Sequence, residues 1–429
     1  MNQDVRGPLI GCIADDFTGA TDVAGLMRRS GMRVVQCFGI PANASLVAGF
    51  DAVVVALKSR SIAADQACHQ SCDAARWLAS IGTERFFFKY CSTFDSTPDG
   101  NIGPVAEALM DHLNVQQTIF CPSFPENRRT VFQGHLFVGD AMLNECGMQH
   151  HPLNPMTDAN LVRVLAAQTQ RAVGRVGRPV AGNDFGATLA AAAPMVIVDA
   201  IDNDDLHAIA VAVAHHRLVT GGSAIAGHIA DVLMKRRSSP RVDAGTVRTP
   251  ADATIDGPAA VLAGSCSTAT QAQVQDFARD HEHLTLDVVS ACDGVDVLGA
   301  AKRWVDAQTS GRPVLISTTV DQETLAQIQQ SSTRETAAAM AESMLAELGA
   351  YLVDHGIRRL VVAGGETSGA VVERLGIEAI EIGDEIAPGV PWTYSQGTPR
   401  VALALKSGNF GNATFFRTAI DGIAGPESA

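Results

Sequence analysis

Along almost the whole chain, short apolar runs rich in Val, Ile and Phe alternate with amphipathic stretches. That pattern predicts βα units built on mainly parallel sheets. Leu9, Ile10, Cys12 and Ile13 open the series as a buried strand, and a helical pattern then runs to Gly31 with Thr18 as the expected N-cap. MRVVQCF and DAVVVALKS supply the next strands, a helix is expected from about Ile62 to Ser80, and RFFFKY is a further strand. A polar loop, CSTFDSTPDGNIG, follows, and Pro104 begins another helix in the first turn, where proline is tolerated. After the strand QTIFC, residues 122–158 read as a long irregular loop, a size that is unusual in a compact domain unless it does something. MVIVDA, a helix around Asp204 to Arg217, the loop TGGSAIAG and one more helix complete the first half.

From Arg236 to Gly257 the chain turns polar and loses its periodicity, which marks a linker over 238–257 between domains at 1–237 and 258–429. A second alternating series then runs through AAVLAG, HLTLDV, PVLIST, RRLVVAGG, IEAIEIG and RVALALK, with a long helix from Thr333 to Gly356. The expected architecture is therefore two α/β domains with mainly parallel sheets. With 429 residues and 46% hydrophobic content, the chain has ample material for two cores.

Charge and cysteine usage narrow the partners. A net charge of -14 leaves no basic face to displace counterions from a polyanion, so nucleic acid is excluded as a partner. The nine cysteines include no CxxC pair and no zinc spacing; Cys68 and Cys72 lie one helical turn apart without a second pair. Free thiols in a reducing cytoplasm are the expectation. No basic segment leads into an apolar one at the start, and no apolar run has membrane-crossing length, so a soluble protein without a membrane partner is expected.

The candidate chemistry gathers at strand ends. Asp15 and Asp16 follow the first strand, and in open α/β sheets the crevice beyond the carboxyl ends of the strands is where ligands bind. Taken singly, such a pair is more often a helix cap and a solvated neighbour. Arg60 in LKSRS suits a bidentate grip on a carboxylate, or a strand-end ion pair. Lys89 closes an otherwise hydrophobic strand and needs a partner or a ligand to offset its desolvation. Asp95, Ser96 and Asn101 come next, in a loop whose residue types are also ordinary turn formers. Arg128, Arg129, His135, His150 and His151 add cations and donors from the long segment. Together they suit a small, anionic, hydroxylated substrate.

In the second half, GGETSG (364–369) stands where a strand gives way to a helix, with glycines for close backbone approach and amides that favour an anion. It has the outer spacing of a phosphate loop, but Ala370 and Val371 replace the Lys-Ser/Thr of a Walker A motif. GSCST (264–268) and KSGNFG (406–411) are similar junctions, and parallel strands bring such loops to one edge. Three of them suggest one phosphate-bearing ligand. No GxGxxG follows a strand, which argues against a dinucleotide.

IADDFTGATD, KYCSTFDSTPDGNIGP, CPSFPENRRTVFQGHLFV, HHPLNPMTD and AGGETSGAVVERLGI, in that order, resemble the four-carbon acid sugar kinases over nearly the full length. The likeness is greatest to the 3-oxo-tetronate 4-kinases, toward which HHPLNPMTD points, ahead of the D-threonate and D-erythronate kinases. The resemblance implies an N-terminal domain for the sugar acid and a C-terminal domain for ATP, with Mg2+ as companion and a homodimer as the assembly. It places nucleotide at Ser265 or Ser267, at Gly364, Gly365, Glu366 and Thr367, and at Gly408. On the substrate side it implies Asp16 or Asp15 as the carboxylate that orients or deprotonates the attacking hydroxyl. Arg60 would hold the substrate carboxylate, with Lys89, Arg128 or Arg129 facing the substrate or the transferring phosphoryl. Asp95, Ser96, Asn101 and His151 complete the expected substrate set. The magnesium ligands are not named by the sequence. Closure of the domains is a further expectation. Competing readings are a non-catalytic sugar-acid sensor and an NAD-dependent dehydrogenase.

Overall fold

The computed structural model describes residues 7–150, 154–180, 184–237, 255, 257–308, 311–319 and 334–422. Most of the expected linker at 238–257 lies outside them. The chain forms two compact units, 1–243 and 244–429.

The first unit contains strands β1 (Ile10–Ala14), β2 (Val34–Phe38), β3 (Ala52–Ala56), β4 (Phe86–Lys89) and β5 (Thr118–Cys121). The short β6 (Arg129–Phe132), β7 (His135–Val138) and β8 (Ala141–Met142) follow, then β9 (Val173–Val176), β10 (Met195–Val198) and β11 (Leu218–Gly221). Eight of them pair in the order β2-β3-β1-β4-β11-β5-β10-β9, every pair parallel. Strands buried on both faces read as unbroken apolar runs, which is why AVVVA and FFFK carry no alternation. The helices α1 (Phe17–Arg29), α2 (Ala64–Ser80), α3 (Ile102–His112), α4 (Leu161–Ala166), α5 (Phe185–Ala190), α6 (Asn203–Val213) and α7 (Ser223–Arg236) connect them. In α1, Ala20, Val23, Ala24 and Met27 are buried, the spacing of one helical face.

The pairing register positions the site. Phe38 pairs with Ala56, Ala56 with Ala14, Ala14 with Lys89, Lys89 with Gly221 and Gly221 with Cys121, so these strands end on one row. The turns that begin at Asp15, Leu57, Tyr90 and Gly222 therefore leave the sheet along a single edge.

Several local expectations are corrected. Thr18 is exposed and is not the N-cap; Asp16 is, accepting the Gly19 amide at 3.0 Å. Pro104 is the third residue of α3, still in its first turn, and TGGSAIAG contributes only Gly222 between β11 and α7. The segment 122–158 is also not irregular throughout, because β6, β7 and β8 form an antiparallel sheet. Gln133 and Gly134, both at positive φ (49° and 74°), make the tight mirror-image turn that suits a hairpin's twist. Asp199, 1% exposed, holds that turn by accepting the Gln133 and Gly134 amides, both at 2.8 Å, and pairs with Arg175 at 2.6 Å.

The second unit orders its strands β13-β14-β12-β15-β18-β17-β16: β12 (Ala259–Ala263), β13 (His283–Thr285), β14 (Val314–Ser317), β15 (Arg359–Ala363), β16 (Ala379–Ala387), β17 (Val390–Ser395) and β18 (Ala402–Lys406). The pairs from β13 to β18 are parallel. The hairpin of β16 and β17 adds two antiparallel pairs, and β17 was not anticipated. Its helices are α8 (Thr268–Phe277), α9 (Val288–Cys292), α10 (Val297–Asp306), α11 (Arg334–Asp354), α12 (Gly365–Arg374) and α13 (Phe415–Asp421). The core on one side of this sheet joins Val261, Val361, Trp392, Phe277, Phe415 and Phe416. Thr285, Ser317, Ala263, Ala363 and Lys406 form the corresponding terminal row. Among the described residues no helix is long and apolar enough to cross a membrane.

Replacing Asp199 with Ala removes two charge-assisted hydrogen bonds from the β6–β7 turn. Urea denaturation should report a loss of about 1.5–3 kcal/mol, and an unchanged midpoint would show that the hairpin is held some other way.

Candidate active site

At the edge of the first sheet, Arg60 lies between the two adjacent carboxylates. Its Nε donates to Asp15 Oδ2 at 2.9 Å, and its Nη2 donates to Asp15 Oδ1 at 2.8 Å and to Asp16 Oδ1 at 2.5 Å. The turn that carries Arg60 is fixed twice over. The Ser59 and Arg60 amides donate to the Asp15 carbonyl, and Asn101 Nδ2 donates to the carbonyls of Ser59, Arg60 and Ile62 at 2.8, 3.2 and 2.9 Å. Asn101 thus orients the Arg60 turn.

The environments of the two acids differ. Burial raises the Asp15 pKa, against the opposing pull of Arg60. Burial also acts on Asp16, but Arg60 and Lys89 outweigh it and hold its carboxyl below the usual range. Burial would equally disfavour the charged guanidinium, yet Asp15 and Asp16 raise its pKa and keep it protonated. Two adjacent carboxylates driven apart in proton affinity are a mark of assigned acid and base roles. Asp16 keeps the more open side chain, 28% exposed against 6% for Asp15.

Lys89 is 3% exposed and donates to the Tyr90 carbonyl at 2.8 Å. Among the described residues no carboxylate lies within ion-pair distance of it. Its ammonium lies over the first turn of α1, where a Cβ on Gly19 would sit 2.8 Å from Nζ, so the glycine admits the amine. Asp22, one turn further along α1, has its pKa raised by burial while Lys89, Ser223 and Arg129 oppose the rise.

The two arginines of the ENRR run separate. Arg128, in the left-handed conformation (φ 55°), pairs with Asp140 at 2.9 Å on the surface. Arg129 turns inward and donates from Nη1 to Ser92 Oγ at 2.9 Å. Asp95 shares a small cleft with Asp15, Arg60 and Asn101, and accepts Thr93 Oγ1 at 2.6 Å. Ser96 is buried and accepts Gln168 Nε2 at 2.8 Å. His135 contacts the Gln133 carbonyl and Asn160 within the hairpin region. His151 lies outside the described residues.

In the second unit the three glycine junctions leave one row of strand ends and touch one another. Ser267 caps α8, accepts the Thr270 amide, and donates to the Gly408 carbonyl at 2.7 Å. Ser265 Oγ accepts the Ser267 amide at 3.2 Å, and a Cβ on Gly408 would overlap it. Thr367 is buried, with its hydroxyl where a Cβ on Gly264 or Gly364 would stand. Gly364 has φ +133°, a conformation closed to other residues, while Gly365 and Glu366 are exposed at the start of α12. The side chains that sequence reasoning missed are Asp22 and Ser92 in the first unit, and Lys406, Thr270 and Gln273 in the second. Of these, only Lys406 carried a legible signal, as a charged residue closing an apolar strand.

Two family profiles match, a sugar-binding N-terminal domain over residues 10–229 and a nucleotide-binding C-terminal domain over 260–416. Proteins named 3-oxo-tetronate kinase from Cupriavidus necator and Pseudomonas savastanoi are 48% and 46% identical to the chain. They cover 97% and 99% of it, and 98% and 100% of their own lengths. The chain belongs to the four-carbon acid sugar kinases. Solved structures share the fold. A Salmonella typhimurium protein provisionally described as a tRNA synthase gives a TM-score of 0.85 at 40% identity, covering 96% of this chain and 98% of its own. The Haemophilus influenzae protein HI1011 gives 0.82 at 39%, covering 96% and 99%. Arg60, Asp15 and Asp16 all lie within the stretch matched by the sugar-binding profile.

Arg60→Met should cost about 3–5 kcal/mol at neutral pH, because it strands a buried carboxylate. Without Arg60 the folded-state pKa of Asp15 rises further above its unfolded value. Its stabilising protonation is complete below the unfolded pKa and lost as pH climbs through the folded one. Denaturation at pH 5 and pH 8 should therefore show the larger deficit at pH 8; equal deficits would show that Arg60 does not govern Asp15.

Proposed function

We propose that this protein transfers the γ-phosphoryl group of ATP to the terminal hydroxyl of 3-oxo-tetronate, giving the 4-phosphate. The domain over residues 1–237 would hold the sugar acid and the domain over 258–429 the nucleotide. The observation that carries the reading is Asp16, kept ionised by Arg60 and Lys89 at the end of β1, in a chain whose 3-oxo-tetronate kinase relatives match nearly end to end.

Phosphoryl transfer depends on in-line placement of the acceptor oxygen and on spreading negative charge over fixed donors. Asp16, with an open edge, would orient the attacking hydroxyl and take its proton as the new O–P bond forms and the bond from the γ-phosphorus to the departing ADP breaks. Asp15 anchors Arg60. Of the Arg60 nitrogens, Nε and Nη2 are engaged by the carboxylates, which leaves Nη1 as the donor for the substrate carboxylate. Lys89 and Arg129 offer positive charge to the substrate or the moving phosphoryl. Arg128, paired with Asp140 and exposed, is the weaker candidate of the two arginines. Asp95, Ser96 and Asn101 shape the substrate loop.

Residues of the second unit suit a phosphate-bearing ligand: glycines where any Cβ would intrude, and hydroxyls at a helix start. Ser265 or Ser267, Gly364, Gly365, Glu366, Thr367 and Gly408 would hold ATP. When bound, ATP supplies the transferable phosphoryl group, with Mg2+ screening its charge. Among the described residues no group of three His, Cys, Asp or Glu side chains could hold a metal. Magnesium would be carried mainly by phosphates and water, with at most one or two protein carboxylates.

An RNA-directed activity, as the Salmonella description would suggest, sits poorly with 46 acidic residues against 32 basic ones. A cytoplasmic homodimer is part of the proposal. Phe132 and Met142, exposed on one face of the small antiparallel sheet, are apolar surface that such pairing would cover, and sedimentation would give the stoichiometry.

Mass spectrometry of products from ATP with 3-oxo-tetronate, D-threonate and D-erythronate should find 3-oxo-tetronate 4-phosphate formed fastest. A preference for threonate or erythronate would move the enzyme to the sister activity, and no phosphorylated product at all would leave a sensor. Asp16→Asn can still cap α1 but gives up the second oxygen, which accepts from Arg60; it should lower kcat by about 10²–10⁴-fold and cost about 1–3 kcal/mol of stability in a chain that still folds. Full activity in that variant would remove Asp16 from the mechanism.

A further inference from the structure

The turn after β18 is held almost entirely by its carbonyl oxygens. The Gly408 carbonyl accepts three donors: Ser267 Oγ at 2.7 Å, Thr270 Oγ1 at 2.8 Å and Lys406 Nζ at 3.0 Å. Gln273 Nε2 donates to the carbonyls of Phe410, Gly411 and Asn412 at 3.0, 3.1 and 2.9 Å. Ser267, Thr270 and Gln273 are spaced three residues apart, so the cap and one face of α8 make this grip together with the lysine.

In a planar trans peptide the carbonyl and the following amide point in opposite directions. Drawing the carbonyls of Gly408, Phe410, Gly411 and Asn412 toward α8 turns the amides of Asn409, Gly411, Asn412 and Ala413 away from it. Among the described residues those four amides have no acceptor. Successive amides facing one way are an anion-binding concavity.

Two features of the grip are costly in themselves. Gln273 is fully buried, and its Oε1 has no partner among the described residues. Flipping the amide would set that oxygen against three carbonyls, so its orientation is forced. Lys406 is 1% exposed, and among the described residues no carboxylate pairs with it. Among the described residues it donates only to Thr270 Oγ1, Ser407 O and Gly408 O, at 3.0, 3.2 and 3.0 Å. A buried cation without a carboxylate counter-charge, next to a turn whose amides at 409 and 411–413 bond no acceptor among the described residues, suits an anion.

We propose that Lys406 and Gln273 are positioning residues for the nucleotide: they fix the 407–412 turn by its carbonyls so that its amides receive a phosphate. This rests on the reading that ATP binds at the glycine junctions. Burial alone, with no charged group contributing, lowers the Lys406 amine to about 8. A bound phosphate favours the protonated form, so nucleotide affinity falls as pH rises past that value, by up to about tenfold per pH unit for one coupled proton.

The test is calorimetry of MgADP with the full-length enzyme, together with KM for ATP and for the sugar acid. Gln273→Leu and Lys406→Met should each weaken MgADP and raise the KM for ATP by tenfold or more, with the KM for the sugar acid within twofold. Between pH 7.5 and 9.5 the wild-type affinity should decline, and the Lys406→Met affinity should stay flat. Should Gln273→Leu fail to fold, Lys406→Met and its pH profile carry the test. Gly408→Val separates this inference from the reading beneath it. If that variant still binds MgADP, nucleotide does not sit at this turn. If it does not bind while Gln273→Leu and Lys406→Met bind normally, the positioning role is overturned and the nucleotide site stands.

Discussion

Two carboxylates next to each other at the end of a buried strand repel one another and lose hydration. The sugar-binding unit tolerates Asp15 and Asp16 because the Arg60 guanidinium lies between them. Around that ion triad the other groups fall into place. Asn101 sets the turn that delivers Arg60, Asp16 starts α1 by capping it, and Gly19 leaves room for the Lys89 amine. The cluster is balanced as well as connected: Asp15, Asp16 and Asp22 face Arg60, Lys89 and Arg129. If this cluster is the substrate site, as proposed above, its near neutrality would let it admit an anionic substrate without first expelling a charge of its own, and its fixed dipoles would need little reorganisation when charge moves.

The nucleotide-binding unit meets the opposite difficulty. If ATP binds at the glycine junctions, they must present positive potential without the acidic partners that would cancel it. The groups available there are backbone amides, helix starts and one buried amine. That choice explains the residue types. Side chains at Gly264, Gly364 and Gly408 would fill the space, and serine and threonine hydroxyls can donate inward to carbonyls without bringing charge. An apolar residue in place of Lys406 would be easier to bury, and a role in binding an anion, as proposed above, would account for the amine.

What the sequence disclosed follows the range of each signal. The parallel strands were legible because burial on both faces leaves long apolar runs, and the strand-end position of Asp15, Asp16, Lys89 and the glycine junctions came with them. The Arg60 turn was legible as chemistry, since a strand-end ion pair was one of two readings, but its partners are 44 and 45 residues away. The β6–β7 hairpin was missed because Gln133-Gly134 is not a common turn pair and is held from outside by Asp199, 66 residues on. The grip of Gln273 on 410–412 spans more than 130 residues and leaves no local pattern at all. Capping at Asp16 in place of Thr18 turned on a shift of two residues, below what propensity resolves.

Both units solve the placement of polar chemistry by the same means, which is register. In the first, Ala14, Ala56, Lys89 and Gly221 share a row; in the second, Ser317, Ala263, Ala363 and Lys406 do. Each row contains a lysine at the last position of its strand, buried and without a carboxylate partner among the described residues. A one-residue slip in β4 or β18 would send that lysine to the opposite face of the sheet and the strand's apolar residues with it. The hydrophobic core therefore enforces the position of the amine. The same apolar packing that stabilises each unit is what makes an otherwise unfavourable buried cation tolerable at the end of its strand.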